Sequence, residues 1–359
     1  MLKRKKIISI VLLLILIFGV FTGFLSSQKQ PYANYIKRVK AYIRMEGFEF
    51  ELYENLEEQK AFKVLLKDIE DKQIFMFGDY YRSKEVNLLA TKTFIFLHKN
   101  AGYKDMLINI DYEYQDEYDK WLKTGKTDNP EFVPYFTREG EKLLREYYNS
   151  LPEDEKFRLL CMSEAAQDEG ETFTSRQEYM SNSEGRGNDE AYREVVRGNK
   201  IKTFIRKLLD DNPEAKYFVY MNLKETSKYS DISFFKSEYE RVGTYLNERN
   251  EITKGKVFST TCAVRSGITN NITIVTLNSF NNLPFLIESV VGLDTKYYML
   301  PLTKGFAKGS IFNQVREGGW SLDALSPIGT TALVDTIYNK INERWDYLFY
   351  FAMVSPWRR

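Results

Sequence analysis

The sequence predicts an α/β protein with a mostly parallel or mixed central sheet that helices cover on both faces, preceded by one N-terminal transmembrane helix. Three observations lead to this prediction. Short apolar runs typical of strands alternate with helical patterns over residues 74–354, a strand–helix–strand unit is especially clear at residues 74–110, and an uncharged apolar run fills residues 7–25.

The N-terminal apolar run follows the basic residues Lys3 to Lys6. As a helix rising about 1.5 Å per residue, the run is long enough to cross the hydrocarbon core of a bilayer. Basic residues hold the N-terminus in the cytoplasm, so we expect a single-pass protein of the cell membrane whose C-terminal domain is extracytoplasmic. Cleavage and secretion is the alternative, but residues 23–28 lack a clear pair of small residues for signal peptidase.

The chain is predicted to consist of two parts. Residues 1–28 form the cytoplasmic tip and signal-anchor, and residues 35–357 form one extracytoplasmic domain. Helical patterns are predicted at 35–46, 56–68 and 139–150, and strands at 157–162, 257–262, 272–277 and 347–354. A segment rich in Glu, Ser, Gly and Asn, near 165–189, is either a lid over a cleft or a plain flexible insertion.

The clearest unit begins with the apolar run 74–77, which ends at Gly78. A helical pattern covers 84–98, Gly102 ends it, and a second apolar run covers 106–110. This is a βαβ unit, so its two strands are expected to be parallel.

Ligands of such sheets bind where the carboxyl ends of the strands open into loops. In this unit the loops are residues 78–81 and 109–113. The candidate ligand-binding residues in these loops are Asp79, Tyr80, Tyr81, Asp111 and Tyr112.

Several short motifs, in a fixed order, resemble the erythromycin esterase-like superfamily, whose wider relatives include haem-uptake ChaN-like proteins. The matching segments are Gly-Asp-Tyr-Tyr at 78–81, Asn-Ile-Asp-Tyr at 109–112, Tyr-Asp-Lys-Trp-Leu-Lys-Thr-Gly at 118–125, and the segments 193–209, 212–220 and 222–228. The resemblance covers residues 74–246, with a weaker match at 347–357, and its specificity lies in the order of the motifs.

The resemblance also implies which residues would be catalytic. The family's Gly-Glu-x-His signature places its glutamate at Asp79 and its histidine at Tyr81; a second glutamate falls on Asn109 and a later histidine on Glu225. In active members a histidine oriented by carboxylates activates water to attack an ester. Tyrosine, with a reference pKa of about 10, does not replace that base at neutral pH. The resemblance therefore indicates a degenerate member without the catalytic histidines.

Two further sets of residues are candidate ligand contacts. Arg193 and Arg197 match the family's arginine-led helix and would bind a carboxylate or phosphate, although a structural ion pair is the commoner role of such residues. Glu225 is the remaining candidate contact.

Neither a metal nor a cofactor is expected. The chain has one histidine, His98, and two isolated cysteines, Cys161 and Cys262, which excludes a histidine-based zinc site. An acidic cluster after residue 110 has two interpretations, a calcium or magnesium site or a solvated helix start, and we favour the second. Haem would need a tyrosine or a methionine as its axial ligand. Tyr80 and Tyr81 lie at the expected place, but in a chain with 25 tyrosines their position is weak evidence for haem.

Charge excludes one class of partner. The 51 basic and 50 acidic residues nearly cancel, so nucleic acid binding is not expected.

Two functions remain. The favoured one is a membrane-anchored protein that binds a small molecule or a protein without catalysis, and the alternative is a hydrolase with a carboxylate-based, metal-assisted site in which Asp79, Asp111, Glu113 or Glu225 act as acid and base.

Overall fold

The protein is described from a computed structural model. The described residues are 37–79, 83–163, 189–228, 240–268, 273–275, 283–303, 320–321 and 344–356. The apolar run 7–25, Tyr80 and Tyr81, and the segment 165–188 lie outside them. Within the described ranges, no helix is both long enough and apolar enough to cross a membrane.

The α-helices of nine or more residues are numbered in chain order. They are α1 (residues 37–46), α2 (Lys60–Asp68), α3 (Lys84–Ala101), α4 (Gln115–Thr124), α5 (Arg138–Ser150), α6 (Asp189–Asp211) and α7 (Leu283–Val291). Glycine ends α3, because Gly102 adopts the left-handed conformation at φ 71° that other residues avoid. At the start of α5, the Thr137 hydroxyl caps the helix by accepting from the Gly140 N–H at 3.1 Å.

The strands of the described residues form one mixed sheet. They are β1 (Phe48–Glu49), β2 (Ile74–Asp79), β3 (Tyr103–Asp111), β4 (Leu159–Ser163), β5 (Lys216–Asn222), β6 (Val257–Ile268), β7 (Thr273–Val275), β8 (Tyr297–Pro301), β9 (Trp320–Ser321) and β10 (Tyr347–Val354). The order is β1-β8-β10-β6-β2-β5-β3-β4, and β7 pairs with β6 and β9.

Most of the central strands are parallel. Parallel pairing runs from β10 through β6, β2, β5 and β3 to β4. By contrast, β8 is antiparallel to β10 and to β1, and β7 is antiparallel to β6. The prediction of an α/β fold with a mixed sheet is confirmed. The strands of the βαβ unit are parallel as expected, but β5 lies between them.

Apolar side chains on both faces of the sheet bind the helices to it. On one face, Phe75 and Phe77 of β2 pack with buried residues of α2, α3, α4 and α5. The rings of Phe75 and Phe218 stack with centroids 5.3 Å apart. On the other face, Ile74 and Met76 pack with α6, while α1 and α7 cover β8 and β10. Burial on both faces explains why β2 is a nearly continuous apolar run.

Candidate functional site

The carboxyl ends of four neighbouring parallel strands, β2, β5, β3 and β4, lie side by side along one edge of the sheet. Asp79 ends β2 and is paired in register with Asn222, the last residue of β5. Next to them, Asp111 ends β3 in register with Ser163, the last residue of β4. Since ligands of parallel sheets bind at this edge, the structure places Asp79 and Asp111 where the sequence predicted a site.

The carboxylate of Asp79 lies in a buried hydrogen-bond network. The Tyr220 hydroxyl donates to Asp79 Oδ1 at 3.0 Å, and the Tyr135 hydroxyl donates to Oδ2. The Asn87 amide donates through Nδ2 to the Tyr220 hydroxyl at 3.2 Å. Asp79 is only 8% exposed, and Tyr220 is fully buried. These hydrogen bonds replace those from water that the carboxylate loses when it is buried.

Asn87 also fixes the segment that carries Tyr135. Its Nδ2 donates to the Tyr135 carbonyl at 3.0 Å, and its Oδ1 accepts from the Thr137 N–H at 2.8 Å. The side chain is 1% exposed and comes from the first turn of α3. One amide therefore connects α3, β5 and the loop before α5, and holds both tyrosines at Asp79.

The Tyr220 hydroxyl remains protonated at neutral pH. Burial raises its pKa well above the ordinary value, and the nearby Asp79 and Tyr135 raise it further. A neutral phenol donates a hydrogen bond to a carboxylate but does not take a proton from water. At this site Tyr220 is consequently a donor and not a base.

Cys262 lies next to the same network. Its Sγ donates a weak hydrogen bond to the Gly78 carbonyl at 3.4 Å. Burial raises the pKa of the thiol well above its usual range, and Asp79 adds to that effect. Since the thiolate is the nucleophilic form, Cys262 is a packing residue here. Both Cys161 and Cys262 are buried free thiols.

Glu225, where the resemblance places a histidine, belongs to an ion pair. Arg241 Nη1 lies 2.9 Å from its Oε1, and the Val242 N–H donates to its Oε2 at 3.2 Å. Both side chains of the pair are mostly buried. The carboxylates of Asp79 and Glu225 thus have different partners, tyrosine hydroxyls in the first case and a guanidinium in the second.

The other candidate residues are distributed along the edge and on α6. Asn109 is partly buried on β3, and its Oδ1 has no hydrogen-bond partner among the described residues. Tyr112 is 48% exposed, with its ring 6.5 Å from that of Phe204. On α6, Arg197 is exposed, whereas the Arg193 side chain lies outside the described part of the structure.

The acidic residues that follow β3 are used within the fold. Glu117 accepts the backbone N–H groups of Asp128 and Asn129, each at 3.0 Å, and Asp119 accepts from the Gln115 amide at 2.9 Å. In the ranges that the structure describes, no group of three or more His, Cys, Asp or Glu residues is placed to hold a metal ion. Glu117 and Asp119 therefore act as hydrogen-bond acceptors within the fold.

His98 lies at the opposite end of α3 from the site. It sits in the last turn of the helix, roughly 21 Å from Lys84 at about 1.5 Å per residue. Its Nδ1 lies 2.7 Å from the Tyr147 hydroxyl, and its ring packs edge-on against Phe157. The single histidine of the chain has a structural environment, as its position in the sequence indicated.

Three residues of the network were not identified from the sequence. Asn87 carried a signal, since a polar residue on the apolar face of a predicted helix indicates a buried hydrogen bond. Tyr220 lies two residues before the end of β5 and was recognisable only by that position. Tyr135 lies in a loop, and nothing in the sequence distinguishes it from the other tyrosines.

The sheet and its helices define an α/β fold with a buried polar network at the carboxyl end of β2. No family model and no curated protein matches the sequence. Solved structures do match it. A succinoglycan biosynthesis protein aligns with a TM-score of 0.62 at 14% identity, over 89% of this chain and 97% of that one.

Two further solved structures have the same fold. A Bacillus cereus protein aligns with a TM-score of 0.57 at 14% identity, covering 89% of this chain and 98% of its own. A histidine-to-asparagine variant of erythromycin esterase EreC, in its open conformation, aligns with a TM-score of 0.59 at 10% identity, covering 86% and 98%. The chain has the erythromycin esterase-like fold that its motifs predicted.

Proposed function

We propose that this protein is a membrane-anchored, extracytoplasmic binding protein that uses the erythromycin esterase-like fold without catalysing hydrolysis. One observation carries the proposal. The carboxylate at the end of β2, where the resemblance places a catalytic glutamate, accepts hydrogen bonds from two tyrosine hydroxyls. A carboxylate held in this way anchors a polar network and is poorly placed to activate water.

The remaining positions of the family's active site support the same conclusion. Asn109 has an amide that does not titrate, and Glu225 is ion-paired with Arg241. Tyr81 stands where the family has its histidine, and the single histidine is at the far end of α3. General base catalysis requires a group with a pKa near the working pH, and histidine, the side chain that ordinarily supplies it, is absent from all of these positions.

The ligand we propose carries several hydrogen-bond donors. The buried Oδ1 of Asn109 and the buried Oγ of Ser163 have no hydrogen-bond partner among the described residues, and both lie within the last three residues of adjacent strands, β3 and β4. A buried acceptor without a partner is costly, so a donor from a ligand would stabilise it. One structure with this fold is called a succinoglycan biosynthesis protein, which makes saccharides reasonable ligands to test first.

Membrane attachment through residues 7–25 is the second part of the proposal. The basic residues 3–6 orient this run with the N-terminus in the cytoplasm. Alkaline phosphatase fused after Arg359 should be active, because that enzyme requires an oxidising compartment. N-terminal sequencing of the purified membrane protein should begin at residue 1 or 2, whereas a start near residue 28 would indicate cleavage and secretion.

The full-length protein in detergent should be tested for both binding and hydrolysis. We expect no turnover of a panel of esters and lactones, and an increase in melting temperature with one saccharide or other neutral polyol. The increase should be lost in Asn109→Ala and kept in His98→Gln, which alters a polar residue remote from the site. Ester turnover that Asp79→Ala abolishes and His98→Gln preserves would instead establish the carboxylate-based hydrolase.

A further inference from the structure

The N-terminal end of α3 is closed by residues from the other end of the chain. A helix leaves its first N–H groups without partners inside the helix, and an N-cap side chain usually accepts one of them. Ser83 is the N-cap of α3, but its side chain makes no such bond. Instead, the Lys84 N–H donates to the Ser355 carbonyl at 2.9 Å, and Ser83 forms an antiparallel bridge with Pro356.

Glu85 holds the same C-terminal residues with both oxygens of its carboxylate. The Ser355 N–H donates to Oε2 at 2.6 Å, and the Ser355 hydroxyl donates to Oε1 at 2.8 Å. Glu85 is 7% exposed, so water competes little for these bonds. Hydrogen bonds to a carboxylate are stronger than neutral ones. Because Ser355 directly follows β10, its position is fixed by the sheet.

The first turn of α3 connects these contacts to the candidate site. The Asn87 N–H donates to the Ser83 carbonyl at 3.1 Å, and the Asn87 side chain donates to the Tyr220 hydroxyl. Tyr220 in turn donates to Asp79. Contacts therefore run without a break from Ser355 through the first turn of α3 to Asp79.

We propose that residues 355–356 act as a C-terminal strap, which holds the first turn of α3 against the Asp79 network, and that Glu85 is the positioning residue for this strap. The inference goes beyond the proposed function, because it applies whether the site binds a ligand or hydrolyses one. Loss of the strap leaves the Lys84 N–H and both Glu85 oxygens without their partners, so the first turn opens locally while the central strands remain closed.

Hydrogen exchange measured by mass spectrometry on the full-length protein in detergent tests the strap. In Glu85→Ala, and in a chain that ends at Val354, peptides covering residues 83–90 should exchange roughly tenfold faster or more, while peptides from β3 and β5 keep their wild-type rates. Lys99→Ala is the matched control. It removes an exposed ion pair with Glu57 (3.2 Å) at the other end of α3, and should leave residues 83–90 unchanged.

Two results would overturn the proposal. One is unchanged exchange at residues 83–90 in both strap variants. The other is equal acceleration in β3 and β5, which would make Glu85 a residue of global stability. If either strap variant does not fold, Glu85→Gln and Ser355→Ala replace it, since each retains part of the contact. They should give a smaller acceleration confined to residues 83–90, and wild-type rates there would reject the strap.

Discussion

Tyr220 donates a hydrogen bond to Asp79 across two adjacent parallel strands, with 3.0 Å between the hydroxyl oxygen and Oδ1. The two residues are 141 positions apart in the chain. Their contact depends on β5 lying directly beside β2, because that neighbour brings a tyrosine to the end of β2. This pair, together with Tyr135 and Asn87, makes the end of β2 a buried polar site.

Removal of the Tyr220 hydroxyl should reveal how much this network stabilises the fold. We expect Tyr220→Phe to lower the free energy of unfolding by about 1.5–3 kcal/mol, because a buried carboxylate and an amide each lose a partner. Tyr217→Phe is the control, since its hydroxyl donates to the neutral Leu208 carbonyl at 3.2 Å, and about 1 kcal/mol is expected. Urea denaturation at neutral pH measures both, and equal losses would contradict a special role for Asp79.

His98 should make stability depend on pH. Burial lowers its pKa below the ordinary 6.5, against the opposing attraction of Asp105 and Glu155. Between the two pKa values the unfolded chain binds more protons than the folded one, so stability decreases as the pH falls through about 6.5. His98→Gln should reduce this decrease. The measurement is urea unfolding of both proteins at about pH 7.5 and about pH 5.5, and identical pH dependence would show that the prediction is wrong.

Gly78 should not tolerate a side chain. A Cβ at this position would lie 2.5 Å from Leu223 Cδ1 and 3.1 Å from the Thr260 carbonyl oxygen. Gly78→Ala should therefore lower the free energy of unfolding by about 1–3 kcal/mol. The loss should be smaller when Leu223→Ala is also present, because the nearest clashing atom is gone. A double-mutant cycle by thermal or urea unfolding measures the coupling, and strictly additive losses would reject this explanation.

Glu117 should stabilise its loop without any metal ion. Glu117→Gln weakens two hydrogen bonds to the backbone N–H groups of residues 128 and 129, and should cost about 1 kcal/mol. Glu146→Gln, which alters an exposed pair with Lys142 at 3.8 Å, should cost less. Melting temperatures with Ca²⁺ and with EDTA should agree for each protein. Stabilisation by Ca²⁺ that disappears in Glu117→Gln would restore the calcium interpretation.

The sequence by itself determined the local structure and which strand ends carry the candidate site. Apolar periodicity and glycine positions predicted β2, α3 and β3, because strand and helix periods differ and φ above zero favours glycine. The same unit, with its ordered motifs, predicted the fold and placed Asp79 at a strand end. It also showed that the single histidine is not at that end.

Only the tertiary structure decided which side chains meet. The insertion of β5 between β2 and β3, the hydrogen bond of Tyr220 to Asp79, and the closure of α3 by Ser355 all join residues far apart in the chain. A local pattern records whether a residue is polar or apolar, but the partner of a buried polar group depends on strand order and on how elements pack. For this reason the sequence located the strand ends at which the candidate site lies, and packing decided which side chains meet there.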